Sequence, residues 1–281
     1  MASTEVLPLA VMGQREMAGC MALSAEAGWN QTPDDWMLFM RHGTVFGLPG
    51  DAGRPIATGA ILPFADGFAW VSMVLVTAAS RGQRIGTGIL ETCCAELKRR
   101  GLVAVLDATP AGERVYRPLG FAPQFALTRW QGQGGGGAVL PAGIRPIRAD
   151  DLTAAIAIDA AAFGAPRDFL LQSFFARAPR LAFVTDDGAS FALARPGRIA
   201  AQIGPIIAAD ENAATALLTA ALGAVNGPVF LDVADRWQQL GALLKQRGFT
   251  VQRPFLRMAL GRCAPFGDVA RTFVVAGPEF G

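Results

Sequence analysis

A chain of 281 residues in which 52% of the side chains are hydrophobic can bury one large core or two ordinary ones, which excludes a disordered segment. Its formal charge of +2 comes from scattered arginines without a block of like charge, so neither a nucleic-acid track nor a polybasic membrane patch is present and a small molecule is the expected partner. The richest apolar run, Gly67 to Ser80, is shorter than the ~20 residues that span a bilayer, and the start lacks the basic and apolar regions of a signal peptide, so the expected location is cytoplasmic.

In chain order, the first half opens with a short strand in EVLPLA (Glu5 to Ala10) and a helix in GQREMAGCMALSAEAG (Gly13 to Gly28). TPDDWMLFMR (Thr32 to Arg41) is a second helix, with Thr32 as N-cap, Pro33 at the first position and Asp34 and Asp35 in the first turn. Capping suits these aspartates better than catalysis. The single histidine, His42, follows in RHGTVFG; no G-x-S-x-G elbow accompanies it, so it is read as structural. Extended runs end in GFAWVSMVLV (Gly67 to Val76), and an amphipathic helix covers Ile85 to Arg100. Its stripe of Ile85, Ile89, Leu90, Cys93, Cys94 and Leu97 recurs every three to four residues, which places both cysteines in the core. With Cys20 and Cys263 they form no C-x-x-C spacing, and one histidine cannot complete a zinc set, so neither a metal site nor a disulfide framework is expected. The strand VAVLDA (Val103 to Ala108), another helix and the pair Gly120-Phe121 complete this half.

QGQGGGGAVLPAG, Gln131 to Gly143, reads as an interdomain linker, giving domains at 1–130 and 144–281 with the linker at 131–143. After it the same order of signals returns: IRPIR, then helices in ADDLTAAIAIDAAAFG and PRDFLLQSFFAR, extended runs ending in RIAAQIGPIIA, a helix from Asn212 to Leu222, the strand PVFLDVA, a helix and Gly248-Phe249. This repeat indicates duplication of a mixed α/β or α+β domain, each copy a mixed, mainly antiparallel sheet flanked by helices.

The densest chemical signal starts at Thr77, in TAASRGQRIGTGILETCCAEL: a strand ends, a glycine-bearing turn follows and a helix begins. Unpaired N–H groups and about half a positive charge at a helix N-terminus suit a pyrophosphate. Gly82, Gly86 and Gly88 do not fit the dinucleotide spacing G-x-G-x-x-G, and the G-K-S/T ending of a nucleotide phosphate loop is missing. The run Gln83-Arg84-Ile85-Gly86-Thr87-Gly88 is instead a Q-x-x-G-x-G turn. With the strand before it, the helix and strand after it, and the later V-Y-x-x-x-G-F, the segment from Glu5 to Trp130 resembles the GNAT superfamily of N-acetyltransferases.

The resemblance implies acetyl-CoA as donor, with its pyrophosphate on Arg81, Gly82, Gln83, Arg84, Ile85, Gly86, Thr87 and Gly88. It implies that the backbone of Met73, Val74, Leu75 and Val76 holds the thioester and pantetheine, and that no metal takes part. Tyr116, the only tyrosine and four residues before Gly120, stands where the family often places the acid that protonates the departing thiolate. The segment from Ala25 to Met40 lies where the family lines the acceptor cleft, so Glu26, Trp29, Asn30, Gln31 and Trp36 are candidate wall residues. Asp107 would flank the cleft where the fourth and fifth strands splay apart, as base or acceptor ligand; a bound water could serve as the base instead.

The second half resembles the superfamily as a degenerate copy. From Val76 to Leu90 is fourteen steps, but from Ala208 to Leu218 only ten, so the turn is shortened; Asp210 and Glu211 carry negative charge where a pyrophosphate would sit. The counterpart of Tyr116, at the same offset before Gly248, is Leu244. Coenzyme A is therefore expected in the first half only. The second half is read as a brace or as a cover for the acceptor cleft, and its ending TFVVAGPEFG as able to pack back as a strand. The expected activity is acetyl transfer directly to the primary amine of a small molecule. The alternative is a non-catalytic acyl-CoA sensor whose second half binds a protein or a second copy of the chain.

Overall fold

The computed structural model describes residues 7–51, 54–65, 67–137 and 139–281, so Glu5 and Val6 of the first expected strand lie outside the described residues. The chain divides into two compact units, Met1–Leu106 and Asp107–Gly281.

The first unit contains β1 (Ala10–Met12), α1 (Met17–Glu26), α2 (Pro33–His42), β2 (Thr44–Pro49), β3 (Pro55–Phe64), β4 (Phe68–Val76), α3 (Ile85–Arg99) and most of β5 (Val103–Ala108). The strand order is β1-β2-β3-β4-β5. Neighbours run antiparallel except β4 and β5, which pair in parallel through Phe68–Trp70 and Val103–Val105. Helix α2 starts as its sequence dictates: the Thr32 N–H donates to Asp35 Oδ2 at 2.9 Å and the Asp35 N–H donates to Thr32 Oγ1 at 3.3 Å, a reciprocal cap. The stripe of α3 buries Ile85, Ile89, Leu90, Cys93 and Leu97, while Cys94 is half-buried at its margin. Gly59 of β3 lets this helix come close, since a Cβ there would overlap Ile89.

The second unit contains the end of β5, then α4 (Pro110–Tyr116), β6 (Phe121–Gly134), β7 (Ile144–Pro146), α5 (Ala149–Phe163), α6 (Asp168–Arg177), β8 (Phe183–Thr185), β9 (Phe191–Arg195), β10 (Ala201–Ile207), α7 (Glu211–Ala224), β11 (Gly227–Ala234), α8 (Gln238–Gln246), β12 (Thr250–Leu260) and β13 (Thr272–Val274). Its strands run β12-β6-β11-β13-β10-β9-β8-β7, with a further direct pairing of β11 to β10. A core of Leu217, Leu218, Leu240, Leu244, Phe249 and Trp130 joins α7 and α8 to one face of this sheet.

Strand β6, from the first half of the sequence, lies between two strands of the second half, antiparallel to both. A buried ion pair adds to these ladders. Both carboxylate oxygens of Asp232 accept from Arg129 at 2.8 Å, and Gln202 Nε2 donates to the same carboxylate at 3.0 Å. The glycine-rich stretch expected as a linker from Gln131 begins as strand: Gln131 to Gly134 continue β6 against Phe230 to Gly227. The reason is contact rather than flexibility. A Cβ on Gly132 would strike the Phe249 ring, and one on Gly134 would strike the carbonyls of Val225 and Leu222.

Candidate active site

In the first unit the register of β4 on β3 breaks, Thr58 opposing Leu75 and Ala60 opposing Ser72, so Met73 and Val74 face the single residue Gly59. This is a β-bulge, which withdraws backbone groups from the ladder. Met73 holds φ +54°, a left-handed conformation uncommon for a side-chain-bearing residue, and is buried. Thr58 Oγ1 locks it by donating to the Met73 carbonyl at 2.9 Å.

Beyond Val76 the chain makes one 3-10 turn, Ala78–Ser80, and then two left-handed residues, Gly82 at φ +79° and Arg84 at φ +61°, before α3 begins. No side chain caps α3, and Arg81, Gly82, Gln83 and Arg84 are exposed around its start. The first-turn N–H groups of a helix have no partner within it. Gly82 supplies the backbone angle. Gly88 supplies room, since a Cβ there would come to 2.7 Å from Leu7 Cδ1.

Glu26, the last residue of α1, braces this turn. Its carboxylate accepts from the Ala78 N–H at 2.6 Å and from Thr77 Oγ1 at 3.0 Å, and these bonds hold the carboxyl below its ordinary value. Beside it is a cleft of about 280 Å³ lined in part by Gly19, Leu23, Arg54 and Thr77. Of the other expected wall residues, Trp29 is half-exposed and Asn30 and Gln31 are buried. Trp36 belongs to the core instead: it is fully buried and its Nε1 donates to Ser24 Oγ at 3.0 Å.

In the second unit Thr109 caps α4 through Gly112, whose N–H donates to Thr109 Oγ1 at 3.2 Å. Tyr116 is half-exposed at the end of the helix, its ring tilted against Phe121 at 5.9 Å between centroids. The ring lies back over its own helix on Gly112, where a Cβ would come to 2.8 Å from Tyr116 Cε2 and 3.2 Å from Oη. Leu244, by contrast, is fully buried. Asp107 is engaged by a residue that sequence reasoning missed. Arg257 donates to both its carboxylate oxygens, at 2.8 and 2.9 Å. Burial raises the Asp107 carboxyl above its ordinary value, and the guanidinium opposes that rise. The start of α7 is closed by its own sequence, Asp210 Oδ1 accepting from the Ala213 N–H at 2.8 Å.

One family model, described as "Acetyltransferase (GNAT) family", matches residues 16–121, and another, "Acetyltransferase (GNAT) domain", matches residues 155–271. The chain belongs to the GNAT family. It is a tandem GNAT protein. A holothin acyltransferase of Pseudoalteromonas sp. (strain SANK 73390) is 25% identical over 233 residues, covering 81% of this chain and 78% of that one. A Bacillus subtilis protein named an uncharacterized N-acetyltransferase is 23% identical over 246 residues, covering 84% and 85%. Among solved structures, a putative acetyltransferase from Pyrococcus horikoshii has TM-score 0.79 at 18% identity, covering 99% of this chain and 96% of that one. A tandem GNAT protein from the clavulanic acid biosynthesis pathway has TM-score 0.60 at 15% identity, covering 89% and 97%. These two likenesses extend to the fold. Among the described residues no cluster of three or more His, Cys, Asp or Glu could hold a metal ion, and no helix is long and apolar enough to cross a membrane.

Proposed function

We propose that this GNAT protein transfers an acetyl group from acetyl-CoA directly to the primary amine of a small molecule, both substrates being bound together. The observation that carries the reading is the difference between the two helix starts. That of α3 has no side-chain cap and is ringed by exposed Arg81 and Arg84, whereas that of α7 is closed by Asp210. An anion gains from unused N–H groups and the helix dipole at the first and meets carboxylates at the second.

The residues fit the donor. Arg81 to Gly88 would hold the pyrophosphate, and the main chain of Met73 to Val76 the pantetheine and thioester. Acetyl-CoA supplies an acyl group already activated as a thioester. A main-chain N–H freed by the bulge and aimed at the developing oxyanion would lower the barrier by roughly 3 kcal/mol. Tyr116 donates its phenolic proton to the leaving sulfur, since phenols stay protonated at neutral pH. Glu26 is engaged by Ala78 and Thr77, and Asp107 by Arg257, which makes both positioning groups. The amine proton then passes to water, and water returns a proton to the Tyr116 phenolate, so the enzyme ends unchanged and the amide and free thiol leave. Trp29 and Asn30 form part of the acceptor wall in this reading. An amine acceptor is supported by the relative named an N-acetyltransferase, and a small molecule by the relative named for holothin.

The test is thiol release from acetyl-CoA over a panel of primary amines, followed by Tyr116→Phe with the best acceptor. The expected result is a fall in kcat of roughly a hundredfold with acetyl-CoA affinity unchanged. An unaltered rate removes Tyr116 from the acid role. A protein that binds acetyl-CoA but releases no thiol with any amine is a sensor.

A further inference from the structure

In the second half β10 and β11 pair in parallel over three residues, Ala201–Ile203 with Val229–Leu231, as β4 and β5 do in the first. Beyond that point β13 enters between them. Val274 pairs with Ile206 of β10 on one side and Val233 of β11 on the other. The parting of fourth and fifth strands, where a GNAT domain holds its acyl group, is thus occupied by the chain's own strand Thr272–Val274, the start of the segment Thr272–Gly281. The segment also meets the counterpart of the acyl-binding bulge. The register of β10 on β9 shifts between Ile203 and Ile206, and a Cβ on Gly204 would overlap the Val275 carbonyl oxygen.

The rest of the segment is clamped by charged side chains of the second half. Arg195 donates to the Ala276 carbonyl and to Glu279 Oε1, both at 2.6 Å. Arg167, held by Asp159 at 2.7 and 2.9 Å, donates to the carbonyls of Phe280 at 3.1 Å and Gly281 at 2.6 Å. Phe280 is fully buried, edge-on to Phe174 at 5.7 Å. Trp237 stacks on Phe273 at 4.0 Å and its Nε1 donates to the Thr272 carbonyl at 2.8 Å. Arg167 and Arg195 are each 2% exposed. Past the strand Thr272–Val274 the segment curls into a turn, the Ala276 N–H donating to the Gly281 oxygen at 3.1 Å and the Phe280 N–H to the Gly277 carbonyl at 3.0 Å. A guanidinium so deep in the protein is costly without its partners, so this cleft is built for a peptide that enters as a strand and presents a carboxylate from a turn.

We propose that the second GNAT copy is a peptide-binding module whose ligand is Thr272–Gly281. Thr272–Val274 of the ligand adds as a strand, Arg195 reads the Glu279 carboxylate on the turn that follows, Arg167 reads main-chain oxygens of that turn, and Phe280 is the apolar anchor. One acyl-CoA then binds per chain, since the second cleft is filled. This rests on the tandem family membership and not on acetyl transfer: a protein inert to every amine would still hold the segment.

The test uses the full chain with a specific protease site inserted between Arg262 and Cys263, where residues 261–264 are exposed. After cutting, the fragment from Cys263 onward should co-elute with the body and exchange with a labelled synthetic copy of itself. A copy carrying Glu279→Ala and Phe280→Ala should bind roughly tenfold or more weakly. A fragment lost at once from a body of unchanged circular dichroism, or equal binding of the altered copy, overturns the proposal. So do two coenzyme A sites per uncut chain by calorimetry. A second measurement needs no cut: Glu279→Gln in the intact chain should speed amide exchange across residues 273–281 by roughly tenfold or more while leaving first-unit amides as they were. Unchanged exchange there overturns it equally.

Discussion

Gly112→Ala tests the proposed acid role of Tyr116 while leaving the helix in place. A methyl at that position would come to 2.8 Å from Tyr116 Cε2 and 3.1 Å from Cζ. Carbon atoms settle near 3.5–4.0 Å, so the ring must withdraw by about 0.8 Å. Tyr116 can yield because it is half-exposed at the helix end. The backbone keeps its cap, since Ala still offers the N–H that donates to Thr109 Oγ1. Replacing a helical glycine by alanine also favours the helix by up to about 1 kcal/mol. With Tyr116 as the proposed acid, the expected result is a thermal midpoint unchanged or higher, with kcat lower by about ten- to a hundredfold, because a shift near 1 Å in a proton donor costs about that much. The assay is thiol release with the best acceptor, beside a melting curve. The same substitution in a Tyr116→Phe background should change kcat less than about twofold, since the displaced hydroxyl is no longer there. Full activity of Gly112→Ala, or an equal loss in both backgrounds, refutes the reasoning.

Asp210→Ala should lower stability by about 1 kcal/mol through loss of the α7 cap, seen as a lower denaturation midpoint, with coenzyme A stoichiometry still one per chain. Burial pushes the Cys20 thiol up to about 12 and the Cys94 thiol up to about 11, and Cys93 is raised further by the same cause. At pH 8 a disulfide reagent should therefore titrate one fast thiol, the exposed Cys263, and all four only after unfolding; a second fast thiol would contradict this burial. Hydrogen bonds from Arg99 and Arg100 hold the Glu96 carboxyl down, from 4.5 to about 2. A depressed carboxyl stabilises the fold above its unfolded value, and that contribution is lost as pH falls through the folded one. Glu96→Gln should thus be less stable than the parent above pH 4.5 and converge with it toward pH 2, measured by acid-denaturation curves.

What was legible beforehand was local. The Thr32-Pro33-Asp34-Asp35 start and the stripe of α3 depend on spacings within a single helix, and both are found, with Cys94 alone half-buried at the margin; the acids before α7 were legible as charge, and the structure makes Asp210 its cap. The GQRIGTG turn from Gly82 is equally local: its left-handed Gly82 and Arg84 and the uncapped helix lie within a few positions of one another. Arg257 was not legible, because it meets Asp107 across 150 residues and an arginine on a strand carries no sign of its partner. The glycines after Trp130 were misleading for a related reason. A glycine kept for close approach to Phe249 looks in sequence like one kept for flexibility.

The sequence by itself carried the repeated order of elements, the helix starts, and which copy has the Q-x-x-G-x-G turn and the tyrosine, because these depend on periodicity, capping and spacing between near neighbours. Only the tertiary structure decided the strand neighbours. It placed β6 between β12 and β11 and β13, Thr272–Val274, between β11 and β10. Strand pairing joins residues far apart in the chain through backbone groups that every residue but proline carries alike, so no side-chain pattern records which strand will be the partner.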